Sequence, residues 1–283
     1  MTTTVTPKSW SELLEALYAD SWDSSIKRYR SSFAFRGLEN AKWKLPTSLI
    51  RLGGNLGVIE KHLLRNFRKY AHRDVVERDS FWYWLTIAQH HGLPTRLLDW
   101  TYSPFVALHF ATNNLESMKN DGVVWCVRIP EVHKKLPKSL RDALNDEGSY
   151  VFTVEMLSKF EMLDIVFPTA GSPLAKLQPT KIRNLKDFDK LASEPFSLFF
   201  EPPSIDDRIV NQFALFSVIS NPKMNMDDWL SRHPKLYRKI IIPSSLKWEI
   251  RDKLDQANIT ERVLFPGLDG LSTWLKRHYS PKT

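Results

Sequence analysis

Apolar residues recur at helical spacing near the start of the chain. Trp10, Leu13, Leu14 and Leu17 share one side of a helix predicted over 9–20, with Ser11 near its start as the cap. The pattern turns to alternation over 32–36. There Phe33 and Phe35 share one face and Ala34 and Arg36 the other, as in a strand, and Gly37 follows as a bend. A second helical stripe, Ile59, Leu63, Phe67 and Tyr70, predicts an amphipathic helix over 59–72. Lys61, Arg65, Arg68, Lys69 and Arg73 sit largely off its apolar side. Residues 81–89 predict another helix, stopped by Gly92 and Pro94. A further one starts at Pro104, with Ser103 as N-cap and apolar pairs Val106/Phe110 and Ala107/Ala111 four residues apart.

Beyond that point, strands are predicted over 123–129, 163–167, 196–200, 214–219 and 239–242, and helices over 246–254 and 268–276. Helices and strands mix without regular alternation, which predicts α+β rather than a doubly wound sheet. The stretch 130–160 is polar and weakly periodic, compatible with an inserted helical arm. The expected organisation is a single domain over 1–283, with 1–30 as an N-terminal helical extension.

Composition narrows the classes. A chain that is 42% hydrophobic, with 10 Trp and 16 Phe, can bury a sizeable core, which argues against disorder. The single cysteine, Cys126, rules out an intrachain disulfide and a cysteine-built zinc site. It lies in an apolar strand pattern and reads as buried and inert. The first residues, MTTTVTPKSW, lack a charged stretch followed by an apolar run, so a cytoplasmic protein without a leader is expected. No run of apolar residues is long enough to predict a membrane span. A net charge of +8 favours anionic partners but is small enough to be a solvated basic surface.

The densest chemistry lies in QHHGLPTRLLDWTYSPFVALHFA, residues 89–111, which packs turn formers, charge and hydroxyls between two apolar segments. This block resembles the central signature of the FRG domain family. FRGLENAKWKLPTSLIR (35–51) is similar to the family's opening signature, DDRIVNQFALFSV (206–218) to its third block and LFPGLDGL (264–271) to its closing one. One position departs from the pattern: Ala214 stands where the third block carries glycine, which weakens a close backbone approach there.

The order of the blocks also resembles the ADP-ribosyltransferase fold. That resemblance implies a strongly bent or split, antiparallel-rich sheet flanked by helices, and NAD as the ligand. Arg36, beside Gly37, would clamp phosphate or ribose, in keeping with the planar fork of a guanidinium. Thr101 and Ser103 would offer hydroxyls before the helix at Pro104, and Tyr102 or Trp100 would stack on nicotinamide. At the place of that fold's glutamate stands Gln212. Its amide can hold a ribose but can neither act as base nor carry stabilising negative charge. Glu201 lies upstream as a second candidate. His90, His91, Arg96, Asp99 and Arg208 complete the expected pocket, and Arg208 and Gln212, four apart, can share a helical face.

Each of these residues has a plainer reading. Arg36 or Arg96 can pair with Asp99 in a buried network that only fixes the fold, Ser103 can be a cap, and either histidine a core group. Adjacent His90 and His91 diverge on a helix and make no metal pair. No phosphate loop or dinucleotide glycine fingerprint occurs. Two function classes follow. One is a nucleotide-binding ADP-ribosyltransferase-like protein acting on protein or nucleic acid, by analogy a bacterial toxin or defence effector. The other is a non-enzymatic recognition module for a phosphate, a nucleotide, or nucleic acid docked on the basic helix over 61–73.

Overall fold

A computed structural model describes residues 4–71, 80–162 and 181–282. Its strands are β1 (Thr4–Val5), β2 (Trp22–Asp23), β3 (Arg28–Tyr29), β4 (Phe33–Leu38), β5 (Leu98–Thr101), β6 (Gly122–Arg128), β7 (Phe152–Thr153), β8 (Ser197–Glu201), β9 (Ala214–Ile219) and β10 (Tyr237–Ile242). β2 and β3 form a small hairpin, and the other strands form one eight-stranded sheet in the order β1-β10-β6-β4-β5-β9-β8-β7. The outermost pairs, β1 with β10 and β7 with β8, run parallel, while every internal pair is antiparallel. The fold is α+β, with an antiparallel-rich sheet and helices packed on it.

The sheet divides in the middle. β4 pairs with β6 from Phe33↔Arg128 through Leu38↔Val123, yet meets β5 only at Phe35↔Thr101. The halves β1-β10-β6-β4 and β5-β9-β8-β7 are therefore joined by one rung and part beyond it.

Alternation along the strands builds the core on both faces. Phe33, Phe35, Val124, Cys126, Ile240 and Ile242 pack under the helices Pro104–Thr112 and Ser244–Gln256. Ala34, Leu98, Trp100, Val123, Trp125 and Trp229 fill the opposite side. A third cluster gathers Trp82, Leu85, Phe152, Leu157, Phe188 and Phe200.

The helix at Pro104 starts as its sequence requires. Ser103 accepts from the Val106 N–H at 3.3 Å, and proline occupies the first turn where no donor is needed. Gly37 lies within β4 rather than in a bend, and its missing side chain serves that helix. A Cβ there would lie 1.7 Å from the Ala107 carbonyl oxygen.

Other expectations are corrected in detail. Ser9, not Ser11, caps the first helix, Trp10–Tyr18, because its hydroxyl accepts from the Glu12 N–H. The helix expected over 59–72 begins earlier and spans Leu56–Ala71; Tyr70 is exposed, and Leu56 and Glu60 are the buried residues of that helix. The stretch 130–160 is helical in large part but is no projecting arm. Leu140, Leu144, Leu157 and Phe160 enter the third core cluster, and β7 extends the sheet. The expected strand at 163–167, with His72 and Arg73 of the expected basic helix, lies outside the described residues.

Candidate functional site

The break between β4 and β5 opens a cleft of about 240 Å³. Three of the four sequence blocks line it, and the fourth stands behind one wall. β4 supplies Phe35, Arg36 and Gly37; the end of the helix Phe81–His90 supplies Gln89 and His90; β5 supplies Asp99, Trp100 and Thr101. Phe110 comes from the helix after it, Arg208 and Ile209 from the helix Asp207–Asn211, Gln212 from the cap that ends that helix, and Ala214 and Phe216 from β9. The closing block braces this wall: Gln212 Nε2 donates to the Leu264 carbonyl at 2.8 Å, and the Arg208 guanidinium lies 5.0 Å from the Phe265 ring centre.

Arg36 bridges the parting strands. Its Nη1 donates to the Asp99 carbonyl, and the Asp99 carboxylate lies 3.8 Å away. Its Nε is buried without a partner. Burial pulls the guanidinium below its usual pKa, Asp99 counteracts this, and Arg51 adds to the lowering. Asp99 also accepts from Gln89 Nε2 at 3.0 Å. Among the described residues lining the cleft it is the single carboxylate, against Arg36 and Arg208. The cleft thus joins aromatic walls to an excess of positive charge, which favours an anion.

His90 is held by the Asp206 carboxylate through Nε2. Burial lowers its pKa below the usual value, Asp206 opposes that, and Arg208 and His91 add to it, so the ring is neutral at pH 7. Asp206 was not singled out in the sequence. The signal was there, since an acidic residue before DRIVN has the form of an N-cap, and its Oδ1 accepts from the Ile209 N–H at 3.0 Å.

The hydroxyls are committed to the backbone. Thr101 Oγ1 donates to the Gln212 carbonyl at 2.7 Å and accepts from the Ser103 N–H at 2.9 Å. It ties β5 to the turn before β9, while the Ser103 hydroxyl serves as the helix cap outside the cleft lining. Phe213 in that turn carries φ of +47°, an uncommon conformation for a side-chain-bearing residue, whereas Ala214 simply opens β9 opposite Thr101.

Several expected members stand elsewhere. Trp100 borders the cleft, but its side chain is buried in the core cluster, with Nε1 donating to Ser217 Oγ at 2.8 Å. Tyr102 does not line the cleft; its hydroxyl donates to Glu201 Oε1 at 2.8 Å, which occupies both residues away from the site. The aromatic walls are instead Phe35, Phe110 and Phe216. Arg96 is buried in a cluster with Glu60 and Asp189 and does not touch Asp99. His91 is exposed at the helix C-terminus.

On the basic helix, Lys61, Arg65 and Lys69 are exposed, and Arg68 lies over Trp84 at 5.8 Å. Burial pushes the Cys126 thiol up to about 12, as an inert core residue requires. Among the described residues, no three His, Cys, Asp or Glu side chains gather to hold a metal ion, and no helix is long and apolar enough to cross a membrane.

Fold and cleft together define an α+β protein with a split sheet and an arginine-lined pocket at the split. Residues 31–120 match the family model of the FRG domain, and the chain carries that domain. The match takes in β4, β5 and two of the three helices that border the cleft, Phe81–His90 and Pro104–Thr112. No curated protein and no solved structure matches the chain.

Proposed function

We propose that the cleft binds a nucleotide, NAD or a close relative, as in the ADP-ribosyltransferase fold. The observation that carries this reading is Arg36. A guanidinium with an unpartnered, buried Nε stands at the open seam of the sheet, and a phosphate oxygen is the natural acceptor for it. Arg208 adds a second positive charge on the opposite wall, and the free oxygen of the Gln212 side chain can accept from a ribose hydroxyl. The neighbouring order β4, β5, β9 sets the arginine strand, the strand of Thr101 and the strand that follows Gln212 side by side. A volume of about 240 Å³ suits one ring with its sugar, so the second half of a dinucleotide would lie along the cleft mouth.

Whether the bound nucleotide is consumed turns on position 212. An amide there favours recognition over transfer of ADP-ribose to protein or nucleic acid, because it cannot stabilise a developing cation by charge. Calorimetry with NAD, ADP-ribose, nicotinamide and inorganic phosphate tests the reading. Binding of NAD and ADP-ribose that Arg36→Ala abolishes supports it. Affinity unchanged by that substitution rejects it.

A further inference from the structure

We propose that His90, oriented by Asp206, is the proton acceptor of the cleft and supplies the base that Gln212 cannot. The inference rests on the nucleotide reading of the same cleft. Its ground is a division of labour in one carboxylate. Asp206 Oδ1 is fixed by the Ile209 N–H at 3.0 Å, while Oδ2 holds Nε2 of His90. The cap locks the carboxylate, and the carboxylate locks the imidazole with its proton on Nε2. Nδ1 then carries the lone pair and has no hydrogen-bond partner among the described residues, in a side chain that lines the cleft. A histidine backed by aspartate, with its second nitrogen free beside bound ligand, is the arrangement a general base requires.

The charged groups around the ring are Asp206 and Arg208 from the helix Asp207–Asn211 and its cap, His91 from its own helix, and Arg36 and Asp99 across the cleft. Burial lowers the ring's pKa below its usual value, Asp206 opposes that, and Arg208 and His91 add to it.

The step balances. A hydroxyl, from water or an acceptor, gives its proton to Nδ1 as its oxygen bonds to the anomeric carbon of the nicotinamide ribose. The bond from that carbon to the pyridinium nitrogen breaks, and its electron pair leaves with neutral nicotinamide. The resulting imidazolium is held by Asp206. Neither Glu201, bound to Tyr102, nor Gln212 could take this proton.

The test uses the full chain with NAD as probe and cell protein and RNA as acceptors alongside water. Nicotinamide release is followed from pH 5 to 9, and NAD affinity is measured in parallel. His90→Gln is expected to lower release on the order of 100-fold or more while affinity changes little. Asp206→Asn keeps an oxygen for the Ile209 N–H but removes the charge that holds the histidine pKa up. Its rate is therefore expected to fall, and its acid limb to move to lower pH. A purely structural contact would lower the melting temperature without moving that limb. Unchanged release by His90→Gln overturns the proposal, as does a wild type that binds NAD and releases no nicotinamide; the latter leaves the binding reading standing. Absence of NAD binding overturns both.

Discussion

Arg36 donates from Nη1 to the main-chain carbonyl of Asp99, 63 residues along the chain, where β4 and β5 part. A side chain thus takes up a backbone acceptor that a continuous sheet would have paired. That leaves the guanidinium half committed to the fold and half available, with Nε unpartnered. Arg36→Lys keeps the charge but cannot serve the carbonyl and a phosphate together. It is expected to weaken nucleotide binding by roughly 10- to 100-fold, the worth of a charge-assisted hydrogen bond. Titration calorimetry on the folded variant measures this, and equal affinities would remove Arg36 from the site.

Gly37→Ala is expected to damage the fold rather than the chemistry. The added methyl would meet the Ala107 carbonyl at 1.7 Å, and neither β4 nor the helix Pro104–Thr112 can shift freely within the core. The cost is at least about 3 kcal/mol, the upper end of overpacking penalties. Urea denaturation reads it directly; a variant as stable as the parent would show that the helix can slide.

Arg96 separates structure from function in the other direction. It pairs with both Glu60 and Asp189 in a cluster outside the cleft. Arg96→Met leaves two like charges without their partner and is expected to cost about 3–5 kcal/mol. Nucleotide affinity of the folded fraction should be unchanged. A large loss of affinity at full stability would return Arg96 to the binding site.

His133 sets an acid limit on stability. Its Nδ1–H donates to the Tyr150 carbonyl and its Nε2 accepts from the Phe199 N–H, each at 2.8 Å, so the folded state needs the neutral ring. Burial pushes its pKa down to about 4. The unfolded chain takes up this proton near pH 6.5 and the folded one does not. Stability present above that pH is therefore lost as pH falls toward 4, by roughly 3 kcal/mol in full. Denaturation midpoints at pH 7.5, 5.5 and 4.5 measure the slope, and His133→Gln should flatten it. Parallel slopes for the two proteins would assign the acid sensitivity elsewhere.

How far the sequence carried this picture depended on the kind of signal. Ala214–Ile219 reads as a strand because its apolar run is bounded by a turn, and the helix at Pro104 because Ser103 and proline mark its start. The two-residue strands β1, β2, β3 and β7 have no period to detect. Arg36, His90, Asp99, Arg208 and Gln212 were nameable as pocket residues, and the fold brings them to one cleft. The choice of aromatic was not legible. Tyr102 and Trp100 are adjacent to the right turn, but strand alternation buries the indole and Glu201 captures the phenol. The pairing of His90 with Asp206 spans more than a hundred residues, and no local pattern encodes such a partner.

The contact between Gly37 and the Ala107 carbonyl gives the tripeptide Phe35-Arg36-Gly37 an uneven meaning. All three letters border the cleft, but the outer two also answer to architecture, a ring in the core and an atom-sized vacancy under a helix, while the middle letter brings the charge. Drift at 36 would first remove positive charge from the cleft; drift at 37 would first unseat the helix packed on it. A relative that keeps phenylalanine and glycine around a replaced arginine should therefore be sought among folded proteins that have changed occupation, not among decaying ones.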